Sequence, residues 1–289
     1  MSIFDFQKKF PNEKTCKKYL SDLKWKEGFS CKKCGYKKYR LTKKEFSRRC
    51  NKCNGEESPT AGTLFHKVKF PLLKAFYIIY YVSTNKKGIS TRELSRKLSL
   101  RQKTCWLFKR KVMESMKSSK THLLDGKIEI DETFIGGKEK IKRGRSKGSK
   151  KQVVFILETK GKGISRAYGK VIQNAGTKEL RPFIRDHVNL EAKLKTDKWR
   201  GYTPLKNEYK NLTQVESNKG KNFNTMHRFI MNFKSWLRGI HHSVKQLQAY
   251  IDEYTYRFNR HFMNENIFQN LLRRVVKHEP RTYKSFTGS

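Results

Sequence analysis

Residues 127–138 read KIEIDETFIGGK, and this stretch decides the fold of the second half of the chain. Polar and apolar side chains alternate along residues 128–131 (IEID), as they do along a β-strand that buries one face. On such a strand Glu129 and Asp131 project from one face and the two isoleucines from the other. The alternation therefore predicts a strand that carries two acidic side chains on one side of a sheet.

The sequence after this strand predicts more strands and two helices. Strands are expected at residues 152–159 and 164–172, a helix at 177–188, and a short strand at 192–197 (AKLKTD) that ends on Asp197. The order is strand, strand, strand, helix, strand and helix, with one acid in the first strand and another at the end of the fourth. This is the order of an α/β, RNase H-like nuclease core.

Asp131 and Asp197 are expected to lie on adjacent strands of that core. Two Mg²⁺ ions about 4 Å apart can activate an attacking oxygen and stabilise a leaving oxygen in phosphoryl transfer. Such ions, Mg²⁺ or Mn²⁺, prefer oxygen ligands and so need carboxylates from neighbouring strands. An Asp at a strand end more often forms a turn, so it is the pair within this strand order that predicts a metal site.

Four of the six cysteines have the spacing of a second metal site. Two C-x₂-C pairs are separated by a spacer of the length found in zinc ribbons. The motif predicts a structural Zn²⁺ site with four thiolate ligands: Cys31, Cys34, Cys50 and Cys53. Cys16 and Cys105 have no partner at such a spacing and are expected to be small buried side chains.

Residues 90–98 and 101–116 predict two helices joined by a short turn, between the cysteine motif and the first strand of the core. Arg101, Gln102 and Lys103 open the second helix, from which such side chains can reach base edges and phosphates. The pair therefore predicts a helix-turn-helix. An ordinary helical hairpin with a solvated basic face is the alternative.

The charge of the chain favours a polyanionic partner. There are 67 Lys plus Arg against 25 Asp plus Glu, a formal net charge of +42, and 36% of the residues are hydrophobic. The hydrophobic content excludes a disordered basic tail, and the charge argues against an enzyme of small acidic metabolites.

The most apolar run, residues 70–82, is too short to cross a bilayer, and the first residues lack the pattern of a signal peptide. An intracellular protein with reduced thiols is expected, and the charge leaves DNA, RNA or an anionic membrane face as candidate partners.

Five blocks of the sequence carry a family resemblance: SPTAGTLFHKVK (58–69), EIDETFIGGK (129–138), TDKWRGY (196–202), MHRFIMNFKSWLRGIHH (226–242) and LQAYIDEYTYRFNR (247–260). They resemble the ISXO-type insertion-sequence transposases of the DDE superfamily, whose eukaryotic relatives are the Merlin elements. The resemblance covers about residues 10 to 260. It implies a zinc ribbon at 10–60, a helix-turn-helix domain at 61–122, an RNase H-like catalytic domain at 123–262, and a C-terminal helix and tail at 263–289.

The resemblance also implies an activity and its partners. A transposase of this kind binds terminal inverted repeats, cleaves DNA strands at the element ends and joins the 3′-hydroxyl to target DNA with Mg²⁺ or Mn²⁺. It implies a homo-oligomer on paired ends, located with the nucleoid in the cytoplasm, or in the nucleus of a eukaryotic source. A non-catalytic DNA-binding protein derived from a transposase, and a metal-dependent nuclease without strand transfer, are the alternatives.

Many members of this family have a Glu as third metal ligand, on the helix after the fourth strand, with a Lys seven residues later. This chain has His227 and Lys234 at those places, two helical turns apart and so on one face. The resemblance implies that His227 is the third ligand and that Lys234 holds a phosphate. Glu216 is a rival ligand, because His is a less natural partner for Mg²⁺. A local structural role for His227 is the remaining alternative.

Basic residues beside these blocks are further candidates for DNA contact. Together with the start of the second predicted helix they form this set: Arg101, Gln102, Lys103, Lys138, Lys198, Arg200 and Arg238.

Overall fold

The computed structural model describes residues 1–137, 150–161, 163–240, 246–264 and 266–287. It divides into two compact units, the first formed by Met1–Met116 with Phe262–Ser289 and the second by Lys117–His261. None of the helices in the described part of the chain has the length and apolarity that crossing a bilayer requires.

The first unit contains seven α-helices and a small sheet within its described residues. Its elements are α1 (Ile3–Lys9), α2 (Glu13–Lys24), β1 (Tyr39–Leu41), β2 (Arg48–Cys50), β3 (Glu56–Glu57), α3 (Leu72–Thr84), α4 (Thr91–Leu98) and α5 (Gln102–Glu114). The second unit follows with β4 (Lys127–Ile135), β5 (Lys151–Lys160), β6 (Gly163–Ile172), α6 (Thr177–Arg185), β7 (Lys193–Asp197), β8 (Leu212–Val215), α7 (Asn224–Ile240) and α8 (Leu247–Phe258). The chain then returns to the first unit as α9 (Asn266–Lys277) and α10 (Lys284–Thr287).

An aromatic core joins the two ends of the chain within the first unit. Phe6 of α1 packs edge-on against Phe268 of α9, with ring centroids 5.6 Å apart. Phe10 and Phe76 also contact Phe268, and all four rings are fully buried or nearly so. Because edge-to-face aromatic pairs add to the hydrophobic gain of burial, α9 is an integral part of this unit.

The two helices predicted as a helix-turn-helix are α4 and α5. The Ser90 side chain accepts a hydrogen bond from the Glu93 amide and caps α4. After Leu98 the backbone turns through Ser99, whose φ of 48° is left-handed, and α5 begins after Arg101. The turn is therefore closed by only three residues between the helices.

The sheet of the second unit has the strand order β6-β5-β4-β7-β8. β5 pairs antiparallel with β4 and β6, whereas β7 pairs parallel with β4 and β8. With the helix crossover through α6, this is the RNase H-like arrangement, so the predicted fold class is confirmed. The structure adds β8, a fifth strand that the sequence did not predict.

Two helical layers cover this sheet. On one side, Ile128, Ile130 and Leu194 pack with α6 and with the 3₁₀ helix Arg200–Asn207. On the other side, Phe155 and Leu157 of β5 pack with α7 and α8. Ile135 packs into this second core, and alternation along β4 places Asp131 on the same side as Ile135. The predicted acidic face of β4 is therefore the face that α7 covers.

Candidate active site

The ladder between β4 and β7 brings Asp131 beside Asp197. Ile130 pairs with Thr196 in this parallel ladder, and the two aspartates are the next residues along their strands. Asp131 Oδ1 accepts a hydrogen bond from the Glu132 amide at 2.8 Å, and Asp197 Oδ1 accepts one from the Trp199 amide at 3.0 Å. Both carboxylates are thus fixed by the backbone that immediately follows them.

His227, in the first turns of α7, comes closest to this pair. Its Nε2 lies 3.6 Å from Asp131 Oδ2, and 46% of its side chain is exposed. The helix buries Met226, Phe229 and Phe233 against the sheet, which sets the rotation of α7 about its axis. His227 therefore projects from the flank of the helix, over the carboxyl end of the β4–β7 ladder.

Gly220 packs directly against the His227 ring. It lies in the 3₁₀ segment Asn218–Phe223 just before α7, with a φ of +89°. A Cβ at this position would collide with Cε1 and Nδ1 of His227 and would lie 3.1 Å from Nε2. Only glycine allows both this backbone conformation and this close approach. Together, the contacts leave the imidazole a narrow space between Gly220 and Asp131.

Negative charge at this edge of the sheet is only partly compensated. The pKa of Asp131 is raised to about 6, chiefly by burial, with the Asp197 carboxylate contributing to the rise and the Glu132 amide and His227 opposing it. Burial also raises the pKa of Glu132 to about 7, with Asp131 and Asp197 adding to the rise and the Tyr202 side chain opposing it. Several acids are therefore held close together in a poorly solvated place, which costs free energy unless a cation joins them.

One buried carboxylate oxygen here, Glu129 Oε2, has no hydrogen-bond partner among the described residues. The other oxygen of Glu129 lies 3.7 Å from Lys195 Nζ. Oxygen donors of this kind, beside two aspartates, fit the ligands that Mg²⁺ or Mn²⁺ takes in proteins. The donor set therefore suits the catalytic metal that the sequence predicts.

The ligand atoms of this site are spread more widely than those of the cysteine motif. Within the described chain, the four cysteines form the group of three or more potential ligands whose atoms all lie within 4.8 Å of one another. Asp131, Asp197 and His227 do not meet that limit.

The cysteine motif forms a compact thiol cluster. The Sγ atoms of Cys31 and Cys53 are 3.5 Å apart, and those of Cys34 and Cys50 are 3.6 Å apart. Four thiolates at Zn–S distances of about 2.3 Å would stand about 3.8 Å from one another. The cluster thus matches a tetrahedral Zn²⁺ site with little adjustment.

Each cysteine pair lies on a tight backbone turn. The Gly35 amide donates to the Cys31 carbonyl at 2.8 Å, and the Asn54 amide donates to the Cys50 carbonyl at 3.1 Å. Gly35 and Asn54 both have a left-handed φ, which glycine and asparagine adopt more readily than other residues. The turns direct all four thiols to one point.

Lys234 and Glu216 have different surroundings. Lys234 is half-buried, and burial together with the charges of Arg238 and Lys150 lowers its pKa. Helical geometry places Lys234 on the same flank of α7 as His227. Glu216 is exposed, and its backbone carbonyl accepts a hydrogen bond from Asn222 Nδ2. Of the two rivals for third ligand, the structure brings His227 into contact with Asp131.

The predicted DNA-contacting residues that the structure describes are all exposed. Gln102 Nε2 donates to Thr91 Oγ1 at 3.4 Å, and Lys103 Nζ lies over the Tyr283 ring, 4.9 Å from its centroid. Arg200 lies over the Trp199 ring. Arg101, Lys198 and Arg238 complete the exposed set. Lys138 lies outside the described residues.

Sequence reasoning missed Glu132 and Gly220 as parts of this site. Glu132 follows Asp131 directly, but alternation along β4 predicts its side chain on the opposite face of the sheet, where it interacts with Tyr202. The motif NKGKN (218–222) indicates a turn before α7, but contact between Gly220 and His227 depends on how that turn packs.

Two family models match the chain. One for a transposase zinc-ribbon domain matches residues 11–56, and one for an ISXO2-like transposase domain matches residues 123–259. A Halobacterium salinarum protein named "Uncharacterized protein in transposable element ISH50" is 24% identical over 220 residues, covering 68% of this chain and 71% of that protein.

Solved structures of the Mos1 transposase are similar at low identity. The Mos1 strand transfer complex has 10% identity and a TM-score of 0.29, covering 69% of this chain and 76% of that one. The Mos1 paired-end complex with left transposon end has 11% identity and a TM-score of 0.29, covering 69% and 78%. Because these TM-scores are low, the assignment rests on the sequence matches. The chain therefore carries a transposase zinc-ribbon domain at residues 11–56 and an ISXO2-like transposase domain, RNase H-like in fold, at residues 123–259.

Proposed function

We propose that this transposase binds the terminal inverted repeats of its element, cleaves DNA strands at the element ends and joins the 3′-hydroxyl to target DNA. The observation that carries the proposal is the meeting of Asp131 and Asp197 at one end of the β4–β7 ladder, with His227 3.6 Å from Asp131. A protein that only bound DNA would have no need for two partly buried, mutually repelling carboxylates at these strand positions.

Asp131 and Asp197 would hold Mg²⁺ or Mn²⁺, and His227 would complete the ligand set. When bound, the metal would supply Lewis-acid activation of the attacking oxygen and stabilisation of the leaving oxygen. The amides of Glu132 and Trp199 orient the two carboxylates through the hydrogen bonds described above. Fixed ligands of this kind reduce the reorganisation that the reaction requires.

Lys234 would hold a DNA phosphate beside the scissile bond. Lys234 is half-buried, and burial together with the positive charges of Arg238 and Lys150 lowers its pKa. A phosphate diester would relieve this repulsion, and Lys serves proteins as a compact point charge for phosphate.

The first unit would bind the DNA at the element ends. In this proposal α4 and α5 dock in a major groove, with Arg101, Gln102 and Lys103 at the start of α5. The basic ribbon, with Zn²⁺ on its four cysteines, would contact the phosphate backbone. Two or more copies would hold paired ends, and the protein would work where its DNA is kept, in the cytoplasm with the nucleoid for a bacterial source.

The test is a cleavage and joining assay with the full chain and a duplex that carries the element end taken from the DNA flanking the gene. Labelled strands are followed on denaturing gels with Mg²⁺, with Mn²⁺ and with neither. We expect metal-dependent nicking at the end and joined product, both lost in Asp131→Asn and in Asp197→Asn. Asp186→Asn, which changes an exposed aspartate paired with Lys120, is the matched control.

Three results would contradict the proposal. Full cleavage by either active-site variant would remove the carboxylates from the mechanism. Binding without any nicking in either metal would leave a DNA-binding protein. Nicking without joined product would leave a nuclease.

A further inference from the structure

A pocket opens beside the start of α5 in the first unit. Its volume is ≈ 540 Å³, and it is lined by residues 67–70, by the turn at residues 99–101 and by one side of α5. Phe70 and Phe108 form part of an apolar floor, with ring centroids 5.5 Å apart. Charges above such a floor interact strongly because the local dielectric is low.

The lining of this pocket has one sign of charge. It contains four cationic side chains, and none of the described residues that line it is acidic: the cations are Lys67, Lys69, Arg101 and Lys111. Their field extends beyond the pocket, since the charges of Lys67 and Lys111 add to burial in lowering the pKa of His66. The pocket is therefore an anion-attracting place before any partner arrives.

Lys111 is the most informative of these residues. It is 8% exposed, and it makes no side-chain hydrogen bond or ion pair with the described residues. Burial alone lowers its pKa. The neighbouring Lys109 is also buried but donates from Nζ to the Ile89 carbonyl at 2.9 Å. Lys111 thus has a largely buried side chain whose desolvation is offset by no hydrogen bond or ion pair among the described residues.

The beginning of α5 also favours the binding of an anion. Arg101 precedes this 13-residue helix and provides no side-chain cap. The Thr104 amide donates to the Arg101 carbonyl at 2.9 Å, which leaves the amides of Gln102 and Lys103 with hydrogen-bonding capacity. The positive end of the helix dipole and these amides favour an anion at this end. The start of α5 and the Lys111 side chain both line this pocket.

We propose that this pocket binds a phosphate group of duplex DNA, with Lys111 as the buried ligand and Lys67, Lys69 and Arg101 around it. The inference rests on the proposed function, since it names a contact of the same DNA-binding unit. It assigns the start of α5 a phosphate-anchoring site, in addition to the exposed side chains that face the bases in the proposed docking.

The experiment compares Lys111→Met with Lys109→Met in the full chain. Affinity for a short duplex of arbitrary sequence is measured by fluorescence anisotropy at several salt concentrations. One lost phosphate contact should reduce the slope of log affinity against log salt by about 0.9 and should weaken binding about tenfold at low salt. Lys109→Met should keep the wild-type slope.

Thermal denaturation without DNA gives a second readout. Lys111→Met should raise the melting temperature, because it removes an unpaired buried charge, whereas Lys109→Met should lower it by orphaning the Ile89 carbonyl. Inorganic phosphate should stabilise the wild type more than Lys111→Met, which shows that the pocket takes the phosphate group itself.

Thr104 offers a variant that does not depend on replacing a buried lysine. It lines the pocket and occupies the third position of α5, where a Glu is favourable to helix formation. Thr104→Glu should therefore fold, yet should weaken duplex binding about tenfold relative to Thr104→Gln through repulsion of the phosphate.

An unchanged salt slope in Lys111→Met, or equal binding by the Glu and Gln variants, would overturn the inference while leaving the proposed function intact. Failure of the wild type to bind any duplex would overturn both. Loss of cleavage with these binding results intact would overturn only the proposed catalytic activity.

Discussion

Replacing Gly220 with Ala should displace His227. We expect a large loss of strand-cleavage rate together with only a modest loss of folding stability. The added methyl group would lie 3.1 Å from Nε2 of His227 and closer still to Cε1 and Nδ1. An ordinary carbon contact needs about 3.5 Å or more, so the ring must move by about 1 Å. That shift breaks the present approach of Nε2 to Asp131 Oδ2, which is 3.6 Å.

The size of the effect follows from the two costs involved. A misplacement of about 1 Å in an active site costs about 10²-fold in rate. The positive φ of +89° at Gly220 adds about 1–2 kcal/mol of backbone strain to an Ala at this position, which appears as lost stability. We therefore expect a large loss of rate with a modest drop in melting temperature.

Gly126→Ala separates these two costs. Gly126 has a φ of +111°, and no heavy atom lies within 4 Å of the position that a Cβ would take there, so its Ala variant has the strain without the collision. Cleavage rates are measured under single-turnover conditions with the element-end duplex, and stability is followed by thermal denaturation. Gly126→Ala should lose stability but keep a rate near that of the wild type.

A double variant tests whether Gly220 acts through His227. If it does, adding Gly220→Ala to His227→Ala should change the rate little, because the interaction has already been removed. Two results would refute the reasoning: a rate for Gly220→Ala no lower than that for Gly126→Ala, or a further 10²-fold loss in the double variant.

Three further predictions concern the third metal ligand, the packing of the sheet and the zinc ribbon. His227→Ala should slow cleavage about 10²-fold, whereas Glu216→Ala should stay near the wild-type rate in the same assay; the reverse ranking would make Glu216 the ligand. Gly169→Ala should lower the free energy of unfolding by about 1–3 kcal/mol, because a Cβ there would press on Phe155 and Ile251; an unchanged urea midpoint would contradict this. Cys50→Ser should abolish zinc retention, measured by atomic absorption, and lower the melting temperature of the chain, whereas Cys105→Ser should retain the metal.

The sequence predicted what depends on periodicity and on chain direction. Alternation along residues 128–131 located β4, and a second acid at the end of β7 had to lie nearby once the two strands were parallel neighbours. The cysteine spacing likewise predicted a cluster that the structure brings together within 4.8 Å. Both features follow from residue spacings that are visible in the sequence itself.

Other features depend on packing and were beyond the sequence. β8 is only four residues long and reads LTQV, too short and too polar to predict a strand without its neighbour β7. The fit of Gly220 beneath His227 requires the turn before α7 to fold back on the helix. The buried, unpartnered state of Lys111 follows from the packing of α5, since an isolated helix would leave this lysine in water.

The return of α9 to the first unit has a consequence for synthesis. Leu64 donates its backbone amide to the Val275 carbonyl at 3.3 Å, and Phe6 and Phe10 need Phe268 to close their core. Domains generally fold as they emerge from the ribosome, and here residues 117–261 emerge ahead of Phe268. The first unit thus begins to emerge first and is completed last, because its aromatic core can close only after the RNase H-like unit has left the ribosome.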